Sequence, residues 1–130
     1  MILKFRYYDK VTNSFVYSEK FSKIAPDGNS YDLQSLVGFF EKARYYSSYE
    51  KVDQWTGETD KNGRDIYQRD ILKLDGWNGV QQVVFLEGAF CLGFPNGEFS
   101  GDIHYIHHAG VEQATVIGNT YQDEKLFGLN

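Results

Sequence analysis

The spacing of apolar residues changes along the chain and predicts strands at its start and a helix after them. In residues 1–8 apolar and polar side chains alternate, which is typical of a β-strand. Residues 15–17 follow a turn-forming segment and predict the returning strand of a hairpin. Over residues 30–46 the spacing becomes three and four, which predicts a helix capped by Ser30 or Asp32. Its predicted face consists of Leu33, Leu36, Val37, Phe40, Ala43 and Arg44.

The second half of the chain is a series of short apolar runs separated by glycine-rich, proline-rich and asparagine-rich turns. Runs of this length and spacing are typical of small β-barrels. The predicted strands are residues 70–74, 80–86, 89–94, 103–107 and 113–118. We therefore predict a mainly β (α+β) fold, in which a short N-terminal hairpin and one helix precede a small SH3-like β-barrel.

A turn-rich segment, residues 54–72, joins these two halves. It contains Asn62-Gly63 between two strand-like runs, and Asn-Gly is the strongest short hairpin signal because both residues tolerate positive φ. The sequence therefore predicts a type I′ turn at Asn62-Gly63.

The same segment carries a signature that extends to the end of the chain. Its positions are Gln54, Trp55, Thr56, Gly57, Asp60, Asn62, Gly63, Ile66, Tyr67, Asp70 and Ile71, followed later by Gly118 and Asn119. This pattern resembles that of the YopX protein family, small proteins of phages and prophages with no established biochemical activity. The resemblance implies one YopX-like domain over residues 1–130. Within it we expect residues 1–53 to form the hairpin and helix, and residues 54–130 to form the signature turn and the barrel.

One position departs from the family pattern. Arg69 stands where family members usually have glycine, before Asp70-Ile71. If that glycine serves a backbone of positive φ, Arg69 is strained by about 1 kcal/mol, and otherwise the local backbone differs.

Composition supports one folded domain of ordinary globular type. The chain has 130 residues, 42% of them apolar, and includes 10 Phe, 10 Tyr and 2 Trp. Its single cysteine and the absence of a leader-like start indicate a cytoplasmic protein of a bacterial host. No apolar run approaches the roughly 18 residues that a membrane-spanning helix needs.

The net charge of −5 is unevenly distributed. Residues 1–65 carry ten Lys/Arg and ten Asp/Glu, whereas residues 66–130 carry three and eight. Because nucleic-acid binding depends on neutralising phosphates, the second half is a poor candidate for that contact.

Three histidines, His104, His107 and His108, form the one cluster of metal-ligating type in the sequence. On a strand His104 and His108 would share one face and His107 the other, so a single zinc or nickel ion would meet two of them at most. We therefore favour a partly exposed strand and expect no metal or other cofactor.

Carboxylates and the cysteine have simpler interpretations than catalysis or metal binding. The segment from Asp60 to Asp65 lacks the glycine and distant glutamate of a calcium loop. We expect Asp60, Asp65 and Asp70 to accept backbone N–H groups at turns. Cys91 lies in an apolar run that predicts burial. No nucleophile elbow or phosphate-binding loop is present, although dispersed carboxylates leave a small hydrolase open.

Basic and aromatic residues interleave at two places in the first half. These candidate partner-binding residues are Lys4, Arg6, Tyr8, Lys42, Arg44, Tyr45 and Tyr46. Such side chains stack on bases or form protein interfaces, and we favour the protein interface. The working hypothesis is a non-catalytic phage or prophage accessory protein that binds a protein partner and self-associates as a homo-oligomer. The alternatives are a nucleic-acid-binding module of phage DNA metabolism or regulation and, less favoured, a hydrolase.

Overall fold

Two antiparallel sheets and one helix form the described part of this mainly β chain. The structure is a computed structural model that describes residues 4–18, 33–46, 52–94, 104–108 and 110–123, with helix side chains for 37–44. It divides into two units, Met1–Trp55 and Thr56–Asn130. Among the helical residues described, no segment has the length and apolar character to cross a membrane.

The first unit is built on a central strand, β1 (Phe5–Asp9). Strand β2 (Ser14–Tyr17) pairs with it antiparallel on one side, and the start of β3 (Val52–Thr59) pairs with it on the other. Helix α1 spans Leu33–Tyr46. The core residues Tyr7, Phe39 and Ala43 are packed by Phe5, Val16, Phe40 and Val52.

The buried face of α1 differs from the predicted face. Phe39, which the aliphatic spacing left out, is fully buried, whereas Val37 is 49% exposed and Arg44 is exposed. Aromatic packing explains the rotation, because the Phe39 ring centroid lies 5.5 Å from that of Tyr7. The proposed caps Ser30 and Asp32 lie outside the described residues, as do the side chains of Leu33 and Leu36.

The second unit contains the end of β3 and six further strands. They are β4 (Asp65–Tyr67), β5 (Asp70–Leu74), β6 (Gln81–Leu86), β7 (Ala89–Gly93), β8 (His104–Tyr105) and β9 (Ala114–Asn119). One sheet has the order β2-β1-β3-β4 and the other β8-β7-β6-β5-β9. The second core is an aliphatic cluster that includes Ile66, Leu72, Val83 and Leu92.

Each of the five strands predicted in the second half has a counterpart, but the fourth is shorter than predicted. It ends at Tyr105 because the chain enters a 3₁₀ turn at Ile106–His108. A second 3₁₀ turn, Val111–Gln113, leads into β9. The SH3-like barrel itself stays a prediction.

The predicted type I′ turn at Asn62-Gly63 is wrong. Gly63 has φ of 80°, but Asn62 is not among the described residues with positive φ. The Gly63 N–H donates to the Asp60 carbonyl at 3.0 Å, and the Asp60 N–H donates to the Arg64 carbonyl at 2.8 Å. These bonds are typical of a type I turn followed by a left-handed glycine. The Asp60 carboxylate explains the difference, because it binds the Asn62 N–H and so favours this turn.

Arg69 has a left-handed backbone, with φ of 68°, which decides between the two alternatives left open by its glycine-like position. Its backbone is also fixed on both sides. The Arg69 N–H donates to the Val83 carbonyl at 2.9 Å, and its carbonyl accepts the Thr120 N–H at 3.0 Å. Because these bonds join the turn to β6 and to the chain after β9, the turn cannot relax into another conformation without losing them.

Replacing Arg69 by glycine and by alanine should separate backbone strain from side-chain loss. At an ordinary position glycine is less stable than alanine by roughly 0.5–1 kcal/mol. At Arg69 we expect the reverse, with Arg69→Gly more stable than Arg69→Ala by about 0.5–1 kcal/mol, because a left-handed conformation costs an L-residue about 1–2 kcal/mol. Urea denaturation measures both free energies of unfolding.

The neighbouring Gln68, whose φ is not positive, supplies the matched control. There, Gln68→Ala should be more stable than Gln68→Gly. If alanine is also at least as stable as glycine at position 69, the left-handed backbone is not strained.

Candidate functional site

The signature turn is held by one buried carboxylate, that of Asp60, which is 5% exposed. Its Oδ1 accepts the backbone N–H groups of Asn62 and Arg64, each at 2.9 Å. Its Oδ2 accepts the N–H of Val116 on β9 at 3.0 Å. A single side chain therefore closes its own turn and binds a strand 56 residues further along the chain.

The charge state of Asp60 follows from these contacts. Burial by itself would raise the pKa of this carboxyl. The N–H groups of Val116, Arg64 and Asn62, together with the Arg64 charge, outweigh that effect and lower the pKa below its ordinary value. Asp60 is therefore an ionised hydrogen-bond acceptor at neutral pH.

The same turn covers the outer edge of β9. This strand stands at one end of the order β8-β7-β6-β5-β9, so its outward backbone groups have no neighbouring strand in that sheet. The Ala114 carbonyl accepts the Lys61 N–H at 2.9 Å, and the Val116 N–H binds Asp60. A turn thus replaces the missing strand at these positions.

Other signature residues also make contacts that support the backbone. Asp70 Oδ2 accepts the Tyr67 N–H at 2.8 Å, and Thr56 Oγ1 donates to the Ile66 carbonyl at 2.8 Å. Asn119 Oδ1 accepts the N–H groups of Tyr121 and Gln122, both at 3.0 Å.

The remaining signature residues contribute burial, pairing or a special backbone. Ile66 and Ile71 are fully buried and Tyr67 nearly so, while Gly57 has φ of 90°. Gly118 pairs with Ile71 beside a bulge. In the first unit, Gln54 pairs with Phe5, and Trp55 lies under the ammonium group of Lys4 at 4.3 Å from its ring centroid.

The candidate partner-binding residues on β1 are engaged within the first unit. Arg6 is 2% exposed; its Nε lies 3.1 Å from Oδ2 of the fully buried Asp53, and its guanidinium lies 4.0 Å from the Phe15 ring centroid. Its side chain is therefore not accessible to a partner in this fold, and we remove Arg6 from that surface. Tyr8 is partly buried and hydrogen-bonded to Asn13.

On α1, Lys42 and Arg44 are exposed, and the side chains of Tyr45 and Tyr46 lie outside the described residues. The structure therefore leaves these two cations exposed on the helix, next to the exposed Glu41, but it does not gather the aromatic and basic residues of the first half into one described site. The Arg6–Asp53 ion pair was missed, because nothing in the sequence links two residues 47 positions apart.

The described histidines have different neighbours. The His104 ring packs edge-on against Trp77, with 4.9 Å between ring centroids, whereas His107 Nδ1 lies 2.7 Å from Glu58 Oε1. The His108 side chain lies outside the described part of the chain, within which no group of three His, Cys, Asp or Glu is placed to hold a metal. The strand assumed for all three residues is wrong, because His107 and His108 belong to a 3₁₀ turn.

Cys91 is fully buried, as its apolar run predicted. Burial raises the pKa of its thiol. Its Sγ is 3.7 Å from the Ala89 carbonyl oxygen. These surroundings favour a packing role over nucleophilic chemistry.

A groove of about 380 Å³ lies at one end of the five-stranded sheet, and we call it the aromatic groove. It is lined by Trp77, Asn78, Gln81, Phe94 and His104. Trp77 and Asn78 come from the loop between β5 and β6, Gln81 begins β6, Phe94 follows β7 and His104 begins β8. Its volume is within the range of ligand-binding pockets.

Strand alternation explains why these side chains meet. Val83 pairs with Leu92, and Leu92 pairs with His104, which puts these three residues on the same face of the sheet. Gln81 lies two residues before Val83, and Phe94 lies two after Leu92, so both continue that face. Since Val83 and Leu92 belong to the core, the aromatic groove is the open end of the core-facing side.

Two amide side chains lie beside these rings. Gln81, whose residue is 7% exposed, begins β6, and Asn78 comes from the exposed loop before it. An amide can donate two hydrogen bonds and accept two. The groove therefore combines aromatic rings with polar groups of both donor and acceptor type.

Comparison with known proteins places the chain in a family. The model of the YopX protein family matches residues 4–128, which is nearly the whole chain. The chain belongs to the YopX protein family. The resemblance seen in the signature residues is thus confirmed, and Asp60 and Asn119 give that YopX signature a structural basis.

A solved structure shares this fold. The chain is similar to the crystal structure of protein EF1440 from Enterococcus faecalis, with 20% identity and a TM-score of 0.54 over 98% of this chain and 99% of the other. At this identity the likeness establishes fold alone. No curated protein matches the chain.

Removing the negative charge of Asp60 should weaken the second unit. We expect Asp60→Asn to lower the free energy of unfolding by about 2–3 kcal/mol, because an amide leaves buried N–H groups poorly paired. Urea denaturation at pH 7 measures the change. Asp75→Asn is the matched control: Asp75 is 62% exposed and 3.6 Å from Lys61, so its loss should cost under about 1 kcal/mol. Equal effects of the two changes would contradict the role given to Asp60.

The stability of the protein should also depend on pH through Asp60. A carboxyl whose pKa is lower in the folded than in the unfolded state adds stability above the unfolded pKa, and this stability is lost as pH falls through the folded pKa. Because the pKa of Asp60 is lowered, the free energy of unfolding should decrease from about pH 5 downward. The free energies of unfolding of wild type and Asp60→Asn should therefore become more similar over the same pH range. If their difference stays constant between pH 7 and pH 3, Asp60 does not contribute to the pH dependence of stability.

Proposed function

We propose that this YopX protein is a non-catalytic accessory protein of a phage or prophage, and that it acts in the host cytoplasm by binding a protein partner through the aromatic groove. The observation that carries the proposal is the groove itself. Trp77, Phe94 and His104 line it together with the amide side chains of Asn78 and Gln81. Aromatic side chains with a few polar groups are typical of ligand-binding and protein-binding sites.

The composition of the groove favours binding over hydrolysis. Among its five described lining residues, His104 is the one titratable side chain, and its ring packs against Trp77. A pair of carboxylates or a nucleophile beside a base is therefore not among them. The hydrolase hypothesis would need such a pair elsewhere in the chain.

Two observations favour a protein partner over nucleic acid. In the first unit, Arg6 is buried against Asp53, and Lys4 lies over Trp55. In the second half, acidic residues outnumber basic ones by eight to three. The nucleic-acid alternative therefore depends on exposed residues such as Lys42 and Arg44, and its affinity would fall steeply with salt.

We also infer an SH3-like barrel from the strand order. Strands β5 to β8 follow one another in space, and β9 returns to pair with β5 after a 3₁₀ turn. A five-stranded antiparallel sheet whose last strand pairs with its first supports this proposal. The aromatic groove would then lie at one mouth of the barrel.

Binding through the aromatic groove is tested by affinity capture from host cells. We expect the amount of each host protein captured by the wild-type chain to fall at least tenfold with Trp77→Ala and with Asn78→Arg. The second change places a bulky cation at the groove without removing core atoms. Phe85→Ala is the matched control, because Phe85 is 52% exposed and does not line the groove. Each captured protein is then purified and its dissociation constant measured by calorimetry. Equal capture by all four chains would overturn the proposal.

Self-association is a separate part of the proposal. Large apolar side chains, Phe85, Tyr105 and Ile117, are 39–52% exposed in the second unit, and exposed apolar side chains favour contacts between chains. We expect light scattering to show a dimer or larger species at micromolar concentration. A monomer under these conditions would contradict self-association without affecting the groove.

A further inference from the structure

We propose that the loop at the aromatic groove carries a site of spontaneous chemical modification, at which the side-chain amide of Asn78 reacts with the backbone nitrogen of Gly79. The sequence contains Asn-Gly pairs at 62–63, 78–79 and 96–97. The first two lie in the described part of the chain, and the contrast between them supports the proposal. This inference goes beyond the proposed function and does not depend on what the groove binds.

The reaction is a cyclisation followed by hydrolysis. Glycine favours it because no side chain keeps its nitrogen away from the neighbouring amide. The Gly79 nitrogen bonds to Cγ of Asn78, the bond from Cγ to Nδ2 breaks, and the proton lost by the Gly79 nitrogen leaves with Nδ2 as ammonia. Water then opens the cyclic imide at either of its carbonyls. The product is an aspartate, or an isoaspartate in which the chain continues through Cβ, and either carries a new negative charge.

The Asn78-Gly79 pair has the freedom that this reaction needs. Both residues are exposed in the loop between β5 and β6, and Gly79 has φ of 71°. Among the described residues, none forms a hydrogen bond with the Asn78 side chain or with the Gly79 N–H. The amide can therefore approach the Gly79 nitrogen without losing a described contact, and a cyclisation depends on such close approach.

The Asn62-Gly63 pair is equally exposed, but its backbone is held. The Gly63 N–H donates to the Asp60 carbonyl at 3.0 Å, and the Asp60 carboxylate accepts the N–H groups of Asn62 and Arg64, each at 2.9 Å. An imide nitrogen carries no hydrogen, so cyclisation at Asn62 would remove the bond to the Asp60 carbonyl. A Cβ added to either glycine would meet no atom within 4 Å, so hydrogen bonding and not crowding distinguishes the two pairs.

The modification would change the charge of the aromatic groove. Its described lining consists of three rings and the two amides of Asn78 and Gln81, without a carboxylate. Conversion of Asn78 therefore introduces a negative charge among these lining residues. Protein that has aged would differ from newly made protein at this site, and a charge at a binding site alters the rate and specificity of association.

Peptide mapping by mass spectrometry tests the proposal, because it follows both pairs in one sample of the folded chain. During incubation at neutral pH and physiological temperature, we expect Asn78 to be converted at least tenfold faster than Asn62. Isoaspartate should appear beside aspartate at position 78, since hydrolysis of an imide gives both. In urea, which removes the turn and the loop alike, the two rates should become similar.

Asp60→Asn gives a second test, because it weakens the turn that holds Asn62 and leaves the Asn78 loop unaltered in sequence. We expect conversion of Asn62 to become at least threefold faster in this variant, with the rate at Asn78 unchanged. If both rates rise together, the variant has opened the whole unit, and the comparison of folded and urea-treated wild type decides.

Three results would overturn the inference. Equal rates at the two pairs in the folded chain would mean that the bonds at Gly63 do not matter. A tenfold difference that persists in urea would assign the effect to flanking residues in place of the fold. Aspartate without isoaspartate at position 78 would exclude the imide. None of these measurements involves a partner, so the proposed function stands or fails separately.

Discussion

The second unit depends on a buried negative charge that is stabilised almost entirely by backbone N–H groups. Asp60 receives three of them, two from its own turn and one from Val116. Without the last bond, and the neighbouring bond from Lys61 to Ala114, β9 would lie at an open edge. β9 also pairs with β5, and β5 pairs with β6, the strand on which Gln81 lies. The contact that Asp60 makes with β9 therefore helps to position β6. The signature is therefore linked to the aromatic groove through the sheet.

Local patterns in the sequence predicted much of the fold. Alternation and turn residues identified β5, β6, β7 and β9 closely, because these features depend on a few consecutive residues. The three-residue β4 was not predicted, and β8 is shorter than predicted. At Arg69 the sequence left two backbones open, and φ of 68° decides for the left-handed one. Two predictions failed where a side-chain contact outside the pattern decides the outcome. The face of α1 is set by Phe39 packing on Tyr7, and the turn at Asn62-Gly63 is set by the Asp60 side chain in place of the preference of Asn-Gly alone.

The aromatic groove was not predicted, and the reason is topological. Its lining comes from a loop, the start of β6, the end of β7 and the start of β8, which only the register of the sheet brings together. One signal was available, a tryptophan between glycines at 76–79, where turns usually carry small polar residues. Conversely, the aromatic and basic residues near the N-terminus looked suited to binding, but Arg6 was needed to neutralise the buried Asp53.

The turn that covers β9 has a consequence for the behaviour of the protein in solution. Edge strands template pairing with other chains, and here a charge-dependent contact protects one. Acid that protonates Asp60 would weaken the contact and uncover the Ala114 carbonyl and Val116 N–H at the same time. The outward groups of β9 would then become available to another chain at the same pH at which the second unit loses stability.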